Sequence, residues 1–494
     1  MASIAFFLEA IGLRGGVKAV YKLSNELIVR GHEVFIYYTD GDWKYDCRAK
    51  FVRYVDPEDV ALTHDSYVAT FWRTAETVAN LPVPNIKKFY YIQHHEARLA
   101  QDYDRVQATY ELPLTKIAIS KWVAESTGSD ITIYPPFFYQ KFHPALVKDI
   151  DVLMFNTKIE WKGAALSQRV WDGLQKMSVK SVRVEDATDE ELISLYSRAK
   201  IFIFTSTVEG FGAVPLEAML SGCVVLSTRC TGIDYDNNIL FMDGEADFLR
   251  TVQSLLASGA VPTMAVRALH DGQKVGRFIE EHCVGMLERV LMGNTEQYRA
   301  DAKLGHRIYP EYIPIEEFRE HLFRYDFARQ YCVGKRVLDA CCGTGYGTSH
   351  LAPVALHVVG VERSPLAFSY ACRAWHRPNI QFMLHDFLEL RNSFLTVDAL
   401  VAFEALEHFK DGLEFLQTCS HLLLKDGLLL LSVPPHALTR SKFHLAEYSA
   451  SKLEDLLESA GFEVLEVYSQ TASEAFVPGY RDGVVSWVLV ARKR

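Results

Sequence analysis

Val337-Leu338-Asp339-Ala340-Cys341-Cys342-Gly343-Thr344-Gly345-Tyr346-Gly347 decides the architecture, because it arrives after more than three hundred residues of chain. An apolar segment that ends in an acid and runs into a glycine-rich turn reads as a parallel strand feeding a helix. Glycines in such a turn let backbone N–H groups approach a ligand closely. A second, different glycine loop precedes it, Glu209-Gly210-Phe211-Gly212, with a further acid at Glu217. Two such loops, far apart, predict two nucleotide-type sites on one polypeptide.

The totals agree with a chain of several domains. At 494 residues it has room for about three domains of ordinary size. Its 23% charged and 49% hydrophobic residues are globular values. A formal net charge of −10 argues against an enzyme that grips nucleic acid by neutralising phosphates. The nine cysteines, an odd count without metal-ligand spacing, fit reduced thiols in a cytosol. Residues 3–8 are apolar but lack a basic leader, and Glu9 interrupts them, so they read as a first strand and not as a signal peptide. No apolar run approaches the ~18 residues of a membrane span. A cytoplasmic location is expected, with at most peripheral attachment to the cytoplasmic face of a membrane.

Short apolar strands alternate with helical stretches along the whole chain, the pattern of parallel α/β sheets. Strands are expected over 4–8, 33–38, 67–71, 89–93 and 116–120, with a helix over 17–30 stopped by Gly31. Pro135, Pro136 and Pro144 break the pattern, and a new strand begins at Asp151. The expected organisation is a first Rossmann-like half over 1–148, a second over 149–292, a linker over 293–316 and a third Rossmann-like unit over 317–494.

In the first part, Gly15 and Gly16 lie in a turn between the first strand and its helix, where a helix N-terminus favours anions. The loop Thr205-Ser206-Thr207-Val208-Glu209-Gly210-Phe211-Gly212 follows a strand and opens a helix carrying Glu217. Glu209 and Glu217 stand two turns apart, so one can meet a sugar while the other accepts from ribose hydroxyls. This constellation resembles the retaining glycosyltransferase family 4 of the GT-B fold over roughly residues 1–292. The resemblance implies a nucleotide-sugar donor, with Gly15, Gly16, Gly212 and Glu217 around it and Glu209 as the catalytic carboxylate. It also implies basic residues near the diphosphate. Lys162-Gly163 matches the family's Lys-Gly pair, whereas Asn156 stands where an arginine is expected, leaving Lys158 to compensate. Nucleoside diphosphate departure needs such charges most. His94 or His95 occupies the region where the family places a histidine near the sugar, with His95 favoured. The triplets Asp102-Tyr103-Asp104 and Asp234-Tyr235-Asp236 have the form of metal motifs. The GT-B resemblance requires no metal, and none is expected.

In the last part, the strand ending at Asp339 is followed by Gly343, Gly345 and Gly347. Asp339 can orient the loop or meet a cofactor's amino group. The next strand ends at Glu362, placed to accept both hydroxyls of a ribose. A third ends at His385-Asp386, near an adenine, and a fourth at Glu404-Ala405-Leu406-Glu407-His408. The series resembles class I S-adenosylmethionine-dependent methyltransferases of the small-molecule and sugar type. That resemblance implies S-adenosylmethionine as cofactor, held by Asp339, Gly343, Gly345, Gly347, Glu362, Asp386 and Glu404. A hydroxyl acceptor profits from a general base. His408 is the first candidate and His444 the second, and either can instead hold a lid.

Together the resemblances imply a bifunctional enzyme of glycan biosynthesis, acting on a glycan or lipid-linked saccharide acceptor and on no nucleic acid. The alternative is a methyltransferase alone, whose degenerate GT-B module serves as a glycan-binding scaffold.

Overall fold

A computed structural model describes residues 1–12, 15–41, 46–99, 101–136, 139–233, 238–292, 307–435, 444–471 and 475–494. The chain divides into two compact units, Met1–Asn294 and Thr295–Arg494.

The first unit holds two parallel sheets. Strands β1 (Ser3–Ala10), β2 (Glu33–Asp40), β3 (Lys50–Arg53), β4 (Ser66–Ala69), β5 (Lys88–Ile92), β6 (Thr115–Ala118) and β7 (Ile131–Thr132) form one, in the order β3-β2-β1-β4-β5-β6-β7. Strands β8 (Ile150–Phe155), β9 (Ser181–Val184), β10 (Ala199–Phe204), β11 (Val224–Ser227) and β12 (Leu240–Phe241) form the other, in the order β12-β11-β10-β8-β9. Central strands covered on both faces need apolar side chains at successive positions, not at alternate ones. Ile4-Ala5-Phe6-Phe7-Leu8 is buried throughout for this reason. Both halves are thus Rossmann-like.

The helical stretch that closes the first unit is not regular throughout. Helix Val261–Phe278 passes through a π-turn at Ile279–Cys283 before helix Val284–Met292. That last helix returns to the first sheet. Glu288 accepts from Arg30 Nη1 at 3.0 Å and meets His32 Nε2 at 2.7 Å, and Ser66 Oγ donates to the Leu291 carbonyl at 2.6 Å. One chain therefore crosses between the halves twice.

The second unit is one mixed sheet of β13 (Arg336–Ala340), β14 (His357–Glu362), β15 (Ile380–Leu384), β16 (Val397–Phe403), β17 (Leu423–Val433), β18 (Phe462–Gln470), β19 (Phe476–Pro478) and β20 (Ser486–Lys493). The order is β15-β14-β13-β16-β17-β20-β18-β19. The first five strands are parallel, and β20 inserts antiparallel between β17 and β18. Crossover helices place the C-terminal ends of β13, β14 and β16 on one edge, where the glycine loop and the acids of the sequence lie.

Of the expected linker over 293–316, residues 293–306 lie outside the described residues, and 307–314 is not a linker. Tyr309 and Glu311 are buried. Tyr309 packs edge-on against Tyr370, whose hydroxyl donates to Glu311 at 2.7 and 2.8 Å. Aromatic burial recruits this polar-looking stretch into the second unit. No helix among the described residues is long and apolar enough to cross a membrane.

Candidate active sites

The first site forms where a loop of one half meets the strand end of the other. Gly163 has φ +75°, and a Cβ there would stand 2.1 Å from the Thr205 carbonyl oxygen. The contact is close because Thr205 Oγ1 donates to the Lys162 carbonyl at 3.1 Å. Thr207 donates to the Trp161 carbonyl through both N (3.1 Å) and Oγ1 (3.0 Å). These bonds fix the Lys162 turn to the Glu209 loop, and Lys162 Nζ lies 3.6 Å from Glu209 Oε1. The Glu209 N–H in turn donates to Thr231 Oγ1 at 3.2 Å.

The same loop reaches the other half at Gly210, where a Cβ would stand 2.1 Å from the Gln93 carbonyl oxygen. Only glycine allows that approach. Gly16 faces the same residue, with its Cβ position 3.0 Å from Gln93 Oε1. Gly15 is exposed and opens on empty space. Leu13 and Arg14 between Gly12 and Gly15 lie outside the described residues, as does Asp234-Tyr235-Asp236.

The two histidines after β5 part company. His95 is 6% exposed and stacks on Tyr110 at 5.7 Å. His94 is the ring in the field of the site: burial lowers its pKa, Glu209 acts to raise it and Lys162 to lower it. It packs edge-on against Trp122 at 5.7 Å. The geometry therefore favours His94 over His95, the residue the sequence favoured. Adjacent residues at a strand end point to opposite sides, and the aromatic pocket of Tyr110 takes His95.

Gly212 adopts φ +69° and starts helix Ala213–Leu220. Glu217 on this helix is half-buried, and burial pushes its carboxyl up, opposed by the Lys22 ammonium. Lys22 belongs to helix Gly15–Val29 of the other half, whose Lys18 also pairs with Asp189 at 2.7 Å. Glu217 is thus a second point where charge links the halves. Lys158 is exposed, and Asn156 turns its amide onto Glu185.

The second site gathers on the edge of the second sheet. Glu362 is buried at the end of β14 and accepts from Arg307 Nη2 (2.9 Å), the Gly343 N–H (3.1 Å) and the Ser364 N–H (2.7 Å). Gly343 has φ +57°, and its Cβ position is open, with only Arg307 Cδ near at 3.7 Å. Gly345 and Gly347 serve packing instead: a Cβ would meet Phe382 at 2.7 Å and the Tyr325 ring at 2.0 Å respectively. Asp339 also faces inward. It is fully buried, accepts from Tyr325 Oη (3.1 Å) and Thr348 Oγ1 (2.6 Å), and burial pushes its pKa up to about 7. Of its two expected roles, orienting the loop is the one its contacts permit.

Asp386 caps the short helix Phe387–Asn392 by accepting from the Leu388 N–H at 3.0 Å. Glu404 sits at φ +49°, uncommon for a residue with a side chain. Its Oε1 accepts from Ser432 Oγ (2.8 Å) and Ser486 Oγ (2.7 Å). Cys341, at φ +56°, repeats this conformation at the end of β13. Such backbone strain at two neighbouring strand ends belongs to the place where ligands bind. His408 and His444 lie together, ring centroids 5.2 Å apart and steeply tilted. Arg307 and Glu407 were not singled out by the sequence. Arg307 carries no motif, whereas Glu407 stood in plain view beside Glu404.

A buried acid that accepts from a glycine N–H, with an open face at Gly343, fits the ribose of an adenosyl group. Gly345, Gly347 and Asp339 shape this edge from within, through their packing against Phe382, Tyr325 and Thr348.

Residues 315–467 match the family model for a methyltransferase domain, and residues 136–258 match that for glycosyl transferases group 1. A probable S-adenosylmethionine-dependent methyltransferase of Mycolicibacterium smegmatis is 34% identical over 155 residues, 30% of this chain and 59% of the relative. The serotype-specific mannosyltransferase WbdA of Escherichia coli is 34% identical over 100 residues, 20% of this chain and 10% of that protein. The N-methyltransferase NodS of Bradyrhizobium japonicum WM9, solved with S-adenosyl-L-homocysteine, aligns at 20% identity with a TM-score of 0.32, over 40% of this chain and 98% of NodS. The match spans about 60% of the length of the first methyltransferase relatives. With glycine loops and acids where each family model falls, this chain carries a glycosyltransferase group 1 domain and, after it, a methyltransferase domain.

Proposed function

We propose that the chain is a bifunctional enzyme of glycan biosynthesis: a retaining glycosyltransferase using a nucleotide-sugar donor, and an S-adenosylmethionine-dependent methyltransferase acting on a sugar hydroxyl. The observation that carries the first half is the meeting of Lys162, Glu209 and His94 at the Gly210–Gln93 contact between the halves. Departure of a nucleoside diphosphate leaves negative charge, and Lys162, with Lys158 four residues before it, supplies the compensating cations. Glu209 faces the electron-poor sugar carbon. His94, held neutral by its burial, donates or accepts a hydrogen bond at the sugar. Gly15, which opens on empty space, lines the donor side with Gly16 and Gly212, and Glu217 faces the donor's ribose.

In the second unit, S-adenosylmethionine supplies, when bound, an electrophilic methyl on a sulfonium. Glu362 and the Gly343 loop bind and orient it, with Asp386 and Glu404 completing the edge. His408 and His444 stand where an acceptor hydroxyl must lose its proton, and proximity does most of the rest. The acceptor is a glycan or lipid-linked saccharide.

A second reading, that the first unit only binds glycan, is favoured by Asn156, which turns to Glu185 and leaves two lysines as the cations for the diphosphate. Mass spectrometry of saccharide acceptors incubated with donor panels and S-adenosylmethionine separates the readings. The bifunctional account expects products carrying both a glycosyl and a methyl increment, the first lost in Glu209→Ala. Methyl increments alone, unaffected by Glu209→Ala, contradict it.

A further inference from the structure

The short helix Leu406–His408 and the segment that begins at His444 are joined by the Glu407 carbonyl, which accepts from the Leu445 N–H (2.7 Å) and the Ala446 N–H (3.2 Å). This pairing brings three side chains to one point. A Glu407 carboxylate oxygen and one ring nitrogen each of His408 and His444 lie within 4.8 Å of one another. Glu407 is 1% exposed, and neither carboxylate oxygen meets a hydrogen-bond partner on another residue. The buried His444 Nδ1 likewise has none. An unpaired buried carboxylate costs several kcal/mol, on the order of that of any buried ion. Arg324 acts on Glu407 through its field but gives it no hydrogen bond, being engaged by Gln470 (2.8 Å) and His321 (2.6 Å). Glu404, whose charge also acts on Glu407 and His444, adds a negative field that a bound cation would offset.

We propose that Glu407, His408 and His444 bind a divalent cation on the acceptor side of the second site. Ligand atoms held by one ion at about 2.1 Å are about 3.0–3.4 Å apart, so small side-chain rotations close the cluster. Two imidazoles and one carboxylate suit Mn²⁺, Fe²⁺, Co²⁺ or Zn²⁺ better than the all-oxygen ions. Three ligands leave coordination positions open. Resting on the sugar-methylation reading, these positions take the acceptor: adjacent hydroxyls of a saccharide chelate the ion, which lowers the pKa of the hydroxyl to be methylated. His408 and His444 would then act as ligands and not as the base: the ion-bound hydroxyl loses its proton to solvent water, its oxygen bonds to the methyl carbon, and the methyl–sulfur bond breaks to leave S-adenosylhomocysteine. The sequence, read for Asp-x-Asp triplets and cysteine spacing, had no reason to place a metal here, because the three ligands come from two segments.

Full-length protein stripped with chelator and titrated with Mn²⁺, followed by electron paramagnetic resonance and calorimetry, tests the site without reference to turnover. One equivalent per chain is expected, weakened about 10–100-fold in His444→Ala and in the isosteric Glu407→Gln, with thermal unfolding confirming that both variants fold. Asp102→Asn, in the first unit, should leave binding unchanged. Absence of stoichiometric binding by Mn²⁺ or Zn²⁺, or binding indifferent to both variants, overturns the site. Stoichiometric binding without any methyl transfer overturns the methylation reading and leaves the site standing.

Discussion

On the proposed reading the two sites solve the same problem, holding a nucleoside-bearing ligand at the edge of a parallel sheet, with opposite uses of charge. In the first unit the ions are solvent-facing: Lys162 and Glu209 have 45% and 20% of their side chains exposed, and they come from different turns joined by threonine bonds. In the second unit the two acids at the ends of β13 and β14 are buried and satisfied, Asp339 by Tyr325 and Thr348, Glu362 by two backbone N–H groups and Arg307. An exposed pair contributes about 0–1 kcal/mol to stability, whereas removing a buried hydrogen-bonded carboxylate costs about 1–3 kcal/mol or more. The difference teaches that function and folding are separable at the first site and entangled at the second.

The largest effect should fall on chemistry alone. Glu209→Ala is expected to lower sugar transfer by about 10²–10³-fold while shifting the melting temperature little. Initial rates and calorimetric melts on the same preparation check this. A large fall in stability would break the contrast.

Next in size is Gly347→Ala. Its Cβ would enter the Tyr325 ring, so a loss of about 1–3 kcal/mol in stability is expected, seen in denaturant unfolding. Gly343→Ala, with open space but φ +57°, should cost less stability and more S-adenosylhomocysteine affinity. Equal effects on both quantities would mean that the two glycines do not divide the work.

The histidine pair sharpens the comparison within the first unit. His94→Ala should reduce transfer with little change in melting, and His95→Ala, which vacates the Tyr110 stack, should do the reverse.

A pH dependence tests the buried acids of the second unit. Asp339 holds its proton up to about pH 7 in the fold but titrates near 3.8 when unfolded. A raised carboxyl contributes stability that is present below the unfolded value and is lost as pH rises through about 7. Melting temperature should therefore fall between about pH 4 and 7 by an amount that Asp339→Asn removes. A variant with the same slope as the parent would refute this assignment.

What was legible in the sequence was what the backbone demands locally. A glycine at a left-handed or crowded turn has no substitute, so both loops announced themselves, and Lys162-Gly163 and Glu209 could be assigned to one site from their motifs alone. What was not legible depends on which way a side chain turns. His94 and His95 are equivalent in sequence and both touch Trp122, but only His95 stacks on Tyr110. The packing of Gly345, Gly347 and Asp339 against Tyr325, Phe382 and Thr348 could not be read from the glycine loop itself. Arg307 lies in a polar stretch whose burial depends on Tyr309 meeting Tyr370, a contact distant in sequence. The antiparallel strands β18, β19 and β20 were equally hidden, since their partners are set by the sheet edge and not by a local turn.

The central claim is two independent sites on one chain, and calorimetry tests it most directly. Wild type, Glu217→Ala and Glu362→Ala would be titrated with S-adenosylmethionine and with a panel of nucleoside diphosphates. The account predicts saturable binding of both ligand classes, each lost only in its own variant. Binding of S-adenosylmethionine alone, with no nucleoside diphosphate bound by any of the three proteins, would contradict it.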